Sequence, residues 1–221
     1  MIDLSTNCLF IHIPKTAGQS IESVFLKKSG LSWNERDNFL LKKNNEPKKG
    51  PPRLAHLTAM EYTELGYLTQ QDFYKLFKFS FVRDPFQRLV SEYLYQYRTI
   101  DFKKFVLDVI PKTTTDNYIE HKGVNRHIMP QWMFLYDGKG DLLVDFVGKF
   151  ENLQTDFNII CDKIGFTGLK LPYRNKTKIK KRLKVPQQEY LSYYDNETYD
   201  FIRKYYKKDI NLFNYEQESR I

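Results

Sequence analysis

FIHIPKTAGQS, residues 10–20, sets a nearly all-apolar run, a proline, a lysine and one glycine in succession before apolar periodicity resumes. The run extends back through CLFIHI, residues 8–13, a short continuous apolar segment of the kind found in a strand covered on both faces. After Gly18 the period changes: Ile21, Val24, Phe25 and Lys28 fall at helical spacing, with Lys28 able to snorkel. The segment therefore reads strand, tight loop, helix. Such a loop turns several backbone N–H groups toward one spot, where the helix dipole also favours negative charge.

A second junction of the same kind follows. KFSFV, residues 78–82, runs directly into RDPFQRLVSEYLYQYR, residues 83–98. Asp84 suits a helix cap, Pro85 the first helical position and Gln87 a capping box, while Phe86, Leu89, Val90, Tyr93, Leu94 and Tyr97 form an apolar stripe. LLVDFVGKF, residues 142–150, reads as a third strand before a helix with Leu153, Phe157, Ile160, Cys161 and Ile164 inward. Residues 44–53, NNEPKKGPPR, read as an exposed loop, and Thr58 with Glu61 as a capping box just after His56. Strands alternating with helices predict an α/β fold with a mainly parallel central sheet flanked by helices. In such sheets ligands sit beyond the carboxyl ends of the strands.

The chain has 221 residues, a length that suits one domain over 1–221. Aromatic residues make up 16% of it, which argues against disorder over most of its length. A net charge of +8 attracts phosphate, sulfate or anionic polysaccharide without choosing among them. The two cysteines, Cys8 and Cys161, lie in apolar runs and read as buried free thiols. No basic leader with a long apolar stretch is visible, and no 18-residue apolar run occurs, so neither a secretory signal nor a membrane span is expected. The expected compartment is the cytoplasm, or the Golgi lumen for a chain trimmed from a secretory-pathway protein.

In the first loop Lys15 supplies a movable positive charge, Gly18 permits close approach of the backbone, and Thr16, Gln19 and Ser20 offer further hydrogen bonds. A Walker loop is disfavoured, because the lysine precedes the glycine and the Gly-Lys-Ser/Thr ending is missing. IPKTAGQS after one strand and FVRDPFQRLVSEY after another resemble, in order and context, the Golgi-type carbohydrate sulfotransferase family that uses 3′-phosphoadenosine 5′-phosphosulfate (PAPS). The resemblance implies a three-layer, P-loop-like fold in which Lys15, Thr16, Ala17, Gly18, Gln19 and Ser20 surround the phosphosulfate and Arg83 and Ser91 hold the 3′-phosphate. It further implies that His56, in RLAHLTAMEY, is the general base, as in related heparan- and dermatan-type enzymes.

His127, in an H-x-x-P-Q stretch that the family carries on the acceptor side, is a second candidate, with Gln131 and Trp132 as sugar contacts. LPYRNKT, residues 171–177, resembles a family segment near the cofactor and makes Asn175, Lys176 and Thr177 secondary candidates, although Tyr173 and Arg174 depart from its pattern. That segment lies in a run from 170 to 184 in which eight of fifteen residues are Lys or Arg. A run of this kind is ordinarily a solvated face. His12 reads as a core histidine, His121 carries no signal, and Glu151 reads as a capping and positioning residue.

The expected activity is sulfuryl transfer from PAPS, leaving adenosine 3′,5′-bisphosphate (PAP), to a hydroxyl on a carbohydrate that carries acidic groups. No metal and no nucleic-acid partner are expected. Competing readings are a nucleotide kinase with an altered phosphate loop and a non-catalytic basic module that binds glycans or nucleic acid. An aryl, lipid or peptide-tyrosine acceptor stays open.

Overall fold

The computed structural model describes residues 1–113, 124–166, 168–172 and 189–215. Four strands form one sheet in the order β1 (Ile2–Asp3), β2 (Cys8–Ile11), β3 (Phe77–Val82), β4 (Phe146–Lys149). β2, β3 and β4 run parallel, with Phe10 opposite Phe79 and Phe79 opposite Phe146, whereas β1 is an antiparallel edge. The α-helices among the described residues are α1 (Gly18–Lys28), α2 (Glu61–Glu64), α3 (Gln70–Lys75), α4 (Pro85–Glu92), α5 (Phe102–Lys104), α6 (Val124–Ile128), α7 (Trp132–Leu135), α8 (Leu153–Lys163), α9 (Asn196–Tyr205) and α10 (Lys207–Leu212).

Alternation along the strands explains the layering. In β2, Leu9 and Ile11 enter one core, which includes Tyr62, Phe73, Phe134 and Leu135. Cys8 and Phe10 enter the opposite core, where Ile21, Val24 and Phe25 of α1 meet Phe157, Ile160 and Cys161 of α8. Both faces of the sheet are thus covered, which is why β2 reads as a continuous apolar run rather than an alternating one. Each fully buried Leu, Ile or Phe contributes roughly 1.5–3 kcal/mol to this arrangement. A third cluster joins Phe86, Leu89 and Val90 of α4 to Phe105, Ile128, Tyr194, Ile202 and Tyr206.

Several sequence expectations shift in detail. β2 ends at Ile11, leaving His12 and Ile13 in the loop, and β4 covers only Phe146–Lys149 of the expected 142–150. The stripe after Arg83 forms α4 to Glu92 and then widens into a π turn over Tyr93–Tyr97. The 44–53 loop is exposed but compact: Asn44 Nδ2 donates to the carbonyls of Glu46, Gly50 and Pro51, and a Lys43–Arg53 bridge closes it. Cys8 and Cys161 are free and buried. Among the described residues no helix is long and apolar enough to cross a membrane.

Candidate active site

Because β2 and β3 are parallel neighbours, the loops at their carboxyl ends lie side by side. Two arginines of the second junction fasten them together. Arg83 Nη1 donates to the Lys15 carbonyl at 3.2 Å, and Arg88 Nε donates to the Pro14 carbonyl at 3.1 Å. The remaining guanidinium nitrogens of Arg88 reach the carbonyls of Met129 and His127 at 2.8 and 3.0 Å, so one buried side chain links three segments.

The first loop turns through two left-handed residues, Lys15 and Ala17, both at φ 71°. Ala17 precedes α1, whose first turn carries no acidic residue and receives no side-chain cap. Within that turn the Ser20 amide donates to the Ala17 carbonyl at 2.9 Å, and the positive end of the α1 dipole faces the loop. By contrast α4 is closed by its own Asp84, whose Oδ1 accepts from the Gln87 amide at 2.9 Å. Thr16 is fully buried with its hydroxyl donating to the Ile13 carbonyl, Ser20 is buried, and Gln19 is exposed.

Gly18 also answers to a second demand. A Cβ there would sit 2.0 Å from His12 Nε2, so the space beside its Cα is filled by the imidazole of His12. The buried Glu22 carboxylate binds His12 Nδ1 at 2.5 Å. Burial opposes the charge on Glu22, yet the charge and hydrogen bond of His12 hold its carboxyl below the ordinary value.

Arg83 lies over the Phe150 ring at 4.1 Å, and burial lowers its pKa to about 10 against the opposing pull of Glu151 and Asp84. Its backbone is gripped on both sides by Gln131, whose Oε1 accepts from the Arg83 amide and whose Nε2 donates to the Arg83 carbonyl. Gln131 is fully buried. With its amide committed in this way it positions Arg83, and the expected sugar contact is corrected accordingly. Asp209 in turn accepts from the Gln131 and Trp132 amides at 2.8 and 2.9 Å, and burial raises its pKa to about 6. Trp132 packs on the core with Lys208 Nζ 3.4 Å from its ring centre. Glu151 accepts from the Asp84 amide and from the Tyr215 hydroxyl, a positioning role. Ser91 is partly exposed on α4.

Three histidines stand in a row. His56 meets His12 edge-on at 4.6 Å and His127 at 5.4 Å between ring centres. The His12 carbonyl, an acceptor only, takes the proton of His56 Nδ1 at 3.1 Å, which leaves the lone pair of a neutral ring on Nε2. The His56 carbonyl is held by Arg126 Nη1 at 2.7 Å, and Arg126 is itself paired in bidentate fashion with Glu61. Glu61 also forms the expected box with Thr58. Burial first, then the charges of His12 and His127, push the His56 pKa well below its ordinary 6.5. His127 Nδ1 lies 2.9 Å from Glu92 Oε2.

Lys15 reaches toward the same carboxylate, with Nζ 3.9 Å from Glu92 Oε2 and 4.0 Å from the Tyr95 ring centre. Burial lowers its pKa to about 8, a fall that Glu92 resists and that Arg83 and Arg88 reinforce. His56 and His127 open on a cleft of about 570 Å³ whose other walls include Lys43, Arg53, Tyr95 and Arg126. His121, Tyr173, Arg174, Asn175, Lys176 and Thr177, with most of the 170–184 basic run, lie outside the described residues.

The residues that sequence reading missed are Arg88, Glu92, Glu22 and Asp209. Arg88 belongs to the quoted RDPFQR motif, and its place five positions after Arg83 was a usable signal. Glu92 and Asp209 are carboxylates whose partners come from distant segments, and Glu22 meets His12 across the first loop.

The model of the sulfotransferase family matches residues 1–216. Carbohydrate sulfotransferase 11 of Mus musculus and that of Rattus norvegicus are each 24% identical over 246 residues, covering 97% of this chain. The chain spans 66% of the length of these relatives. No solved structure matches it significantly.

Proposed function

Since the chain belongs to the sulfotransferase family, we propose that it transfers a sulfuryl group from PAPS to a hydroxyl of an acidic carbohydrate. The observation that carries this reading is the joining of the two strand-end loops by Arg83 and Arg88, beside a histidine whose neutral ring has its lone pair on Nε2. The residues present suit such a nucleotide. The first turn of α1 lacks a side-chain cap, and Arg83 Nε is buried with no hydrogen-bond partner among the described residues. PAPS, when bound, supplies an activated sulfuryl group and a phosphate leaving group.

The start of α1 at Gly18 and the Lys15 ammonium would hold the phosphosulfate end, with Gln19 beside them, and Lys15 would neutralise the negative charge that develops there. Thr16, Ala17 and Ser20 shape that loop. Arg83 and Ser91 hold the 3′-phosphate, with Asn175, Lys176 and Thr177 as further contacts. His56 Nε2 accepts the proton of the acceptor hydroxyl, and its depressed pKa keeps it unprotonated near neutrality. Lys43 and Arg53, exposed on the cleft wall, bind a carboxylate or sulfate of the acceptor. His127 lines the same cleft and contacts the sugar. Named in the rodent relatives, a carbohydrate acceptor is carried to this chain on similarity.

Calorimetry with adenosine 3′,5′-bisphosphate on wild type and Arg83→Ala tests the nucleotide site. Binding by the wild type and its loss in the variant are expected; equal binding by both removes Arg83 from the site. Assay of sulfate transfer to uronic-acid glycans, neutral glycans and small phenols separates the acceptor classes, and transfer confined to phenols overturns the carbohydrate reading.

A further inference from the structure

Glu92 is fully buried in the last turn of α4, and no part of the mechanism above uses it. Its Oε2 is the meeting point of two groups: Lys15 Nζ at 3.9 Å and His127 Nδ1 at 2.9 Å. Its other oxygen, Oε1, is buried with no hydrogen-bond partner among the described residues. A half-satisfied buried carboxylate costs stability, and its retention calls for a compensating role.

We propose that Glu92 is the positioning residue of this site, holding the Lys15 ammonium against Tyr95 and fixing His127 with its Nδ1 proton inward and Nε2 toward the cleft.

The inference rests on the PAPS reading for what Lys15 then does, but the arrangement itself is independent of any nucleotide. The charged and titratable groups around Lys15 are Glu92 and Tyr95 from α4 and its π extension, Arg83 and Arg88 from the second junction, and His127 through Glu92. Both arginines push the lysine toward its neutral form, as does burial, while Glu92 alone of these acts strongly the other way. A carboxylate here keeps Lys15 charged and confined until a bound anion competes for it. Because the same carboxylate binds His127, release of Lys15 to an anion leaves Glu92 to the histidine alone.

The test uses the whole chain without nucleotide. Reductive ¹³C-methylation followed by NMR titration reads Lys15, its resonance assigned by loss in Lys15→Arg. The expected midpoint is about 8 in wild type. In Glu92→Gln the midpoint falls by about one pH unit, the usual scale for removing an opposite charge at this range. Glu92→Asp, with the carboxylate drawn back by one methylene, falls in between. An unmoved midpoint in folded Glu92→Gln overturns the proposal, and if that variant does not fold, an unmoved midpoint in Glu92→Asp does so equally. Calorimetry with adenosine 3′,5′-bisphosphate at pH 6, where the ammonium is protonated in every variant, separates the two readings. If the wild type fails to bind, the PAPS reading falls while the lysine titration still decides for or against Glu92; if it binds, Glu92→Gln binds at least as tightly, its competing anion gone, and weaker binding there counts against the proposal.

Discussion

On the proposed mechanism His56 and Lys15 set opposite ends of a working pH range. A base must be unprotonated, and His56 is held well below 6.5 by burial and by His12 and His127. An ammonium that binds an anion must be protonated, and Lys15 has been lowered to about 8. The pH profile of sulfate transfer is therefore expected to be a bell with its acid limb well below 6.5 and its alkaline limb near 8. His56→Ala should lower kcat by about 10²–10⁴ with little change in nucleotide affinity, measured by initial rates and calorimetry. The same burial has a stability consequence of definite sign. Below 6.5 the unfolded chain protonates His56 and the folded chain resists, so this residue's contribution to stability is lost as pH falls. At this scale the sequence was informative wherever a side chain acts on its neighbours, as in the Thr58–Glu61 box and the Asp84 cap. It did not record at Gly18 that the imidazole of His12 fills the space a side chain would need.

Between elements, order is kept by buried polar side chains that bind backbone. Arg88 binds the Pro14, Met129 and His127 carbonyls, Gln131 binds Arg83 on both sides, and Asp209 binds the amides that begin the 131–132 turn. Removal of Arg88 strands several buried carbonyls at once and leaves a cavity. Arg88→Ala is expected to cost about 3 kcal/mol or more in urea unfolding, and Arg88→Lys to recover little, since an ammonium cannot span divergent acceptors. Recovery of wild-type stability by lysine would show that charge, rather than the planar fork, is what matters. The elements themselves were legible: three parallel strands and the two helices that follow the first two came straight from apolar runs and period changes. This pinning was not, because the Asp209–Gln131 and Arg88–Pro14 bonds join residues 78 and 74 positions apart, and no local pattern records such a pairing.

For the molecule as a whole, a charge of +8 says only that anions are welcome, and the proposal places them at the cleft that Lys43, Arg53 and Arg126 line. Lys43→Ala combined with Arg53→Ala should raise KM for a uronic-acid or sulfated acceptor by about tenfold or more, leave KM for PAPS near wild type, and flatten the dependence of acceptor KM on salt. Initial-rate kinetics at two ionic strengths would measure this, and an unchanged acceptor KM would remove the cleft wall from acceptor binding. Cysteine state and the two-sided sheet were readable from composition and apolar runs, whereas the edge strand β1, two residues long, was too short to leave a pattern. The pairing of β2 directly with β3 has one more implication. Everything between them, including Lys43, Arg53 and His56, is a single excursion that leaves the sheet and returns to the adjacent strand. Within it the stretch from 43 to 53, which follows α1 and precedes His56, can change shape and alter what the cleft accepts while residues 15–20 and His56 keep their places.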